Sequence, residues 1–147
     1  MAWFKSKSDT WASATGKEAS LPTIYRYRQN RPAKSQPDAL PNALRVVWPY
    51  DGAARNGMPE PRDNEAQIAF EDAIEPLTEG PRSHLMLVFT GNSRKEWLFY
   101  TGDCDAWAAS LTKLLAKHPP YPLKLTDWAD PSWSTWQKFV DGVSGES

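Results

Sequence analysis

Cysteine is almost absent from this chain: Cys104 is the one thiol in 147 residues, so no intrachain disulfide can form. Only His84 and His118 accompany it, and a structural zinc would have to draw its other ligands from carboxylates, so no metal site and no cofactor are expected. No segment approaches the roughly 18 consecutive apolar residues of a membrane-spanning helix. The opening Met1-Ala2-Trp3-Phe4-Lys5 lacks the continuous apolar core of a secretory signal. These two absences make the cytoplasm the expected compartment. Neither the P-loop nor the dinucleotide fingerprint occurs, and the G-x-S-x-G elbow of serine hydrolases is missing. Nucleotide hydrolysis and serine-hydrolase chemistry are therefore not expected.

What is present suits a single domain over residues 1–147. Apolar residues make up 40% of the chain and charged ones 24%, enough to build one core and keep it in solution. Net charge is −1, but it is unevenly spread. Residues 1–55 hold nine Lys/Arg against four Asp/Glu, and residues 56–147 hold eight against fourteen, giving +5 and −6. Opposed fields of this kind steer charged partners, or neutralise each other across the fold.

Along the chain, residues 1–20 read as a partly frayed arm. Trp11 to Ala14 and Thr23 to Arg28 flank Thr15-Gly16-Lys17 as the arms of a hairpin. Tyr25 and Tyr27 would share one face of its second arm, with Ile24, Arg26 and Arg28 on the other. Pro32, Pro37 and Pro41 mark residues 29–42 as a loop. Leu44, Val46 and Trp48 fall on one face of a strand. Ala66, Ala69, Phe70, Ala73, Ile74 and Leu77 then form the stripe of a helix, with Asn64 and Gln67 as its capping box and Pro76 as its stop. Leu85–Phe89 and Trp97–Tyr100 read as strands joined through Thr90-Gly91-Asn92-Ser93. A second helix starts near Asp103 or Asp105 with Trp107, Ala108, Leu111, Leu114 and Leu115 inward. Tyr121–Thr126 reads as the last strand. Asp130 as N-cap and Pro131 at the first position open a short helix with Trp133, Trp136, Phe139 and Val140 inward. From residue 44 the order is βαββαβ, so the expected fold is α+β with a ferredoxin-like core, an N-terminal hairpin and a short C-terminal helix. Phe70, Ile74, Leu87, Phe89, Leu111 and Leu115 are expected in one buried cluster.

Trp11, Asp51-Gly52 followed by Pro59, Arg94 with Phe99-Tyr100 and Asp103, and Asp130-Pro131-x-Trp133 together resemble the bacterial domain-of-unknown-function family 695. Trp136 stands where tyrosine is more typical of that family. The resemblance implies a fold and no activity. Some members look related to, or are joined with, domains like the inhibitor of ribonuclease E known as regulator B, a ferredoxin-like protein that acts by binding.

The chemistry-bearing residues point to binding and away from catalysis. Cys104 stands between Asp103 and Asp105, whose charge disfavours a thiolate. Asp103 and Asp105, with Asp127 or Asp130, are read as caps in preference to cation ligands. Glu71, Asp72, Glu75 and Glu79 would form an acidic ridge away from the stripe of the first helix, a docking face for a basic partner such as a toxin or nuclease. Trp3 is the expected exposed aromatic of the binding surface, since Trp dominates interface hot spots. The function expected is a non-enzymatic protein-binding module of the inhibitor or immunity type. The alternative is an RNA-binding regulator in which Tyr25, Arg26, Tyr27 and Arg28 stack bases and pair phosphates, aided by Trp97 and Phe99 or Leu98 and Tyr100 on the sheet.

Overall fold

A computed structural model describes residues 11–32 and 39–145. Trp3 lies outside the described residues. Trp11 opens the first strand, in agreement with its reading as the start of a hairpin arm, and the strand runs on past Ala14. Strands β1 (Trp11–Glu18) and β2 (Leu21–Arg28) pair in register from Trp11 with Arg28 to Glu18 with Leu21. Their turn is Ala19-Ser20, with φ of 52° and 67°, and Gly16 lies inside β1 opposite Thr23. The expected turn at Gly16 is corrected on a physical ground. A two-residue turn with both φ positive matches the twist of paired strands, and the added strand pairs offset the strain of having no glycine there.

β3 (Asn42–Pro49), α1 (Pro61–Ala73), β4 (Ser83–Gly91), β5 (Arg94–Thr101), α2 (Cys104–Leu114), β6 (Lys124–Ala129) and α3 (Ser134–Gly145) follow in order. The six strands form one sheet in the order β1-β2-β4-β5-β3-β6, every neighbouring pair antiparallel. The fold is α+β.

Two helix starts and one strand differ from expectation. Glu60 takes the N-cap position of α1 without a side-chain capping bond, and Pro61 takes the first helical position, where a missing N–H costs nothing. Asn64 is already inside the helix, donating its N–H to the Glu60 carbonyl, and Gln67 is buried. The helix stops at Ala73, and Glu75–Leu77 makes one 3-10 turn around Pro76. β6 begins three residues later than read, because Tyr121 stacks on Trp48 and the ladder with β3 starts at Lys124 and Val47. Trp133, at φ 58°, turns the chain before α3, so Asp130 caps from four residues upstream by accepting Ser134 N–H at 2.8 Å and Thr135 N–H at 3.0 Å.

The core is divided between the two faces of the sheet. Leu44, Val46, Trp48, Leu85, Val88, Trp97 and Phe99 meet Phe70 of α1, Ile74 at its C-cap, and Trp107 and Leu111 of α2. Ala43, Met86, Leu98 and Tyr100 face the other way, toward Trp133, Trp136 and Leu40. A bulge between Leu85 and Leu87 changes the phase of β4. It turns Leu87 toward the α3 face, and Phe89 packs there against Tyr25. The single cluster expected for Leu87 and Phe89 with Phe70 is corrected accordingly; Leu115 packs at the margin of the first cluster.

Candidate functional site

The four acidic residues do not make one ridge. Glu71 turns inward: its Oε2 accepts Trp97 Nε1–H at 2.9 Å and lies 3.3 Å from both Lys95 Nζ and Arg26 Nη2. Burial pushes the Lys95 ammonium below its usual range, and Glu71 opposes that shift by charge and hydrogen bond. Glu79 lies beyond the helix, bridged to His84 in the backbone and 3.5 Å from Arg28 Nη2. Asp72 and Glu75 remain exposed. The ridge carried the helical spacing past the expected stop at Pro76 to Glu79, and the end of α1 at Ala73 removes that periodicity.

The Tyr/Arg strand divides as the alternation requires, yet its faces are occupied. Tyr25 and Tyr27 pack against Phe139 of α3 at ring separations of 4.8 and 5.1 Å. On the opposite face the Arg28 guanidinium is 1% exposed, donating from Nε to the Leu85 carbonyl at 2.7 Å and lying 4.9 Å from the Trp11 ring. Arg26 pairs with Glu71. Trp97, Leu98, Phe99 and Tyr100 are all buried, so none serves as an open stacking platform.

A different acidic face remains. Glu65, Ile68 and Asp72 recur at spacings of three and four on α1, and all are exposed, with exposed Glu75 in the next turn. Ile68 is 47% exposed, level with Ile24 at 46% among the described residues. Its signal was legible: Ile68 is the one large aliphatic residue of α1 outside the apolar stripe.

On the far side of the loop that follows α1, a groove of about 610 Å³ opens between α2 and residues 76–83. Leu40, Leu77, Trp107 and Leu114 supply apolar walls, with Arg82 and Lys113 also lining it. Asp103, the N-cap of α2, lines it too, and its Oδ1 accepts Ala106 N–H at 2.9 Å. Sequence reasoning missed this groove because its walls come from segments far apart in the chain.

A buried hydrogen-bonded pair lies under α3. Tyr100 donates its hydroxyl to Asp130 Oδ2 at 2.6 Å. Burial pushes the Asp130 carboxyl up, but the Tyr100 hydroxyl and the donors of Thr135 and Ser134 outweigh it and hold the group below the ordinary carboxylate range. Burial, then Asp127, Asp105 and Asp103, push the Cys104 thiol up, away from nucleophilic chemistry. Among the described residues no three His, Cys, Asp or Glu side chains converge as metal ligands. No helix among them is long and apolar enough to cross a membrane.

The sequence model of one family, described as a family of unknown function (DUF695), matches residues 9–140. No curated protein matches the chain.

Proposed function

We propose, for a chain that belongs to the DUF695 family, a non-enzymatic role as a protein-binding module that covers a basic partner with the outer face of α1. The observation that carries this reading is Ile68, half exposed between Glu65 and Asp72 with Glu75 beyond. An apolar anchor ringed by one sign of charge combines an anchor that loses water on contact with a field that steers the encounter. An inhibitor or immunity-type protein acting on a toxin or nuclease in the cytoplasm has this use for it, since occlusion needs only affinity and placement. The spatial order β4-β5-β3-β6 supports reading the central part as a ferredoxin-like core with the β1–β2 hairpin and α3 as additions. The likeness to the ribonuclease E inhibitor regulator B belongs to the same proposal and rests on fold analogy.

The test starts from position 68. A photo-crosslinking side chain in place of Ile68 should capture a basic protein in the cells that make the chain, and the same side chain in place of Lys138 on α3 should not. The captured partner, once purified, should associate about tenfold more slowly with Glu65→Lys/Asp72→Lys at low ionic strength, and the difference should shrink with added salt. The fold should hold, because exposed charges away from packed surfaces change stability by about 0.5 kcal/mol or less. An on-rate indifferent to the reversals would reject α1 as the docking face. Retention of a mixed single-stranded RNA pool, with no protein captured, would favour the RNA alternative.

A further inference from the structure

We propose that the groove between α2 and residues 76–83 is a binding site for an amphipathic anion, a ligand with an apolar body and a single carboxylate-like head. This site is separate from the outer face of α1. Its volume of about 610 Å³ lies within the range of small-molecule sites. Half-buried Leu77 and Leu114, with buried Leu40 and Trp107 behind them, give it an apolar lining that water wets poorly.

The walls are fixed before any ligand arrives. Ser83 donates its hydroxyl to the Leu77 carbonyl at 2.5 Å, Thr101 donates to the Arg82 carbonyl at 3.0 Å, and Gly80 N–H bonds the Ser83 carbonyl at 3.0 Å. A Cβ on Gly102 would fall 2.6 Å from the Ala39 carbonyl oxygen, so the bare backbone there lets Ala39 and Leu40 close against the end of β5. Because the loop is already ordered, binding costs less conformational entropy than closing a free loop would.

The charge of the ligand follows from the cations. Arg82 and Lys113 come from opposite walls, the loop and the last turn of α2, and neither has a carboxylate partner among the described residues. Asp103, the one carboxylate in the lining, is already engaged with the N-terminus of α2. Two cations with no carboxylate partner among the described residues, against one occupied carboxylate, favour an anionic head over an ammonium or a zwitterion. Trp107, 3% exposed, adds an independent sign: its buried indole N–H has no acceptor among the described residues. A buried donor without a partner is uncommon in folded proteins, and this one belongs to a side chain that lines the groove.

The probe is decanoate, with decanol and decylammonium as charge controls, titrated into the full ¹⁵N-labelled chain. Decanoate should move the Trp107 indole signal and the Ser110 and Leu114 amides saturably, with at least tenfold preference over both controls. Arg82→Ala/Lys113→Ala should erase that preference while the remaining spectrum stays in place, since both side chains are exposed. Decanol binding as tightly as decanoate, a double variant that keeps the preference, or shifts that map outside the groove would each overturn the proposal. So would a titration that reaches the solubility limit of decanoate without moving these signals.

Discussion

The two faces of the sheet are held by different physics. Under α1 and α2 the cluster is larger and built mainly from rings and aliphatic side chains, with Gln67 buried on α1 and the Trp97 indole bonded to Glu71 at its margin. Phe70 meets Trp48, Trp97 and Tyr121 at ring separations of 5.8, 4.9 and 6.1 Å, and Phe99 meets Trp107 at 4.8 Å. Under α3 the cluster is smaller and tied by directed bonds. The Trp133 indole donates to the Leu40 carbonyl at 2.9 Å, the Trp136 indole to the Arg28 carbonyl at 2.9 Å, and Tyr100 to Asp130. Area burial tolerates small shifts, whereas a hydrogen bond between buried groups holds one geometry and leaves a costly orphan when broken. The first face therefore carries most of the stability, and the second fixes where the C-terminal helix docks.

The largest expected effect tests the first half of that contrast. Phe70 is fully buried, and Phe70→Ala should cost about 3–5 kcal/mol in a denaturant titration, because three aromatic rings around it cannot all collapse into the space. A loss smaller than that of the polar variants below would break the comparison.

Tyr100→Phe tests the second half. It removes the hydroxyl that donates to Asp130 and accepts Trp136 N–H at 3.3 Å, leaving a buried carboxylate one donor short. The expected cost is about 1–3 kcal/mol. Hydrogen exchange should rise in α3 and stay unchanged in α1 and α2, and the near-ultraviolet signal of Trp133 stacked on Tyr100 at 4.6 Å should weaken. Uniform loosening of all three helices would mean that the two faces unfold as one unit.

The same division explains what could be read from the residues. Apolar periodicity places Phe70, Ile74, Trp107 and Leu111 on their inward stripes because burial by area leaves a regular trace in sequence. The strand alternation of Tyr25 and Tyr27 against Arg26 and Arg28 is legible for the same reason. Leu87 was misplaced because a bulge carries no compositional mark, and one extra residue exchanges the faces of everything after it. The Ala19-Ser20 turn eluded the reading because it uses positive φ without glycine. Glu71 read as solvent-facing because its partners come from other elements, Trp97 and Lys95 from β5 and Arg26 from β2. The groove was invisible for the same long-range reason, although Asp103 as the cap of α2 was legible as a local signal.

The smallest expected effect lies with the ion pair that joins the β1–β2 turn to the β4–β5 hairpin. Arg94 grips Glu18 with both ends of its fork, Nη1 to Oε2 at 2.6 Å and Nη2 to Oε1 at 3.1 Å, while Asn92 Nδ2 donates to Oε2 at 2.6 Å. The guanidinium carbon also lies 4.4 Å from the Phe89 ring centre, on the α3 side of the sheet. The Arg94 hydrogen bond first, then that of Asn92, pull the Glu18 carboxyl from its ordinary 4.5 down to about 2, with burial opposing them. A carboxyl depressed in the folded state contributes stability that is complete above its unfolded value. That contribution disappears as the pH falls from about 4.5 toward about 2. Because both side chains are partly exposed, Glu18→Gln should cost no more than about 1 kcal/mol at neutral pH, and less in high salt. Its signature is in the acid limb. The wild-type and Glu18→Gln stability curves, measured by denaturant titration from pH 7 to pH 2, should converge through this window. Curves that stay parallel there would mean that the Glu18 carboxyl is not held by Arg94 in solution, and that Glu96 and the Phe89 ring orient the guanidinium instead.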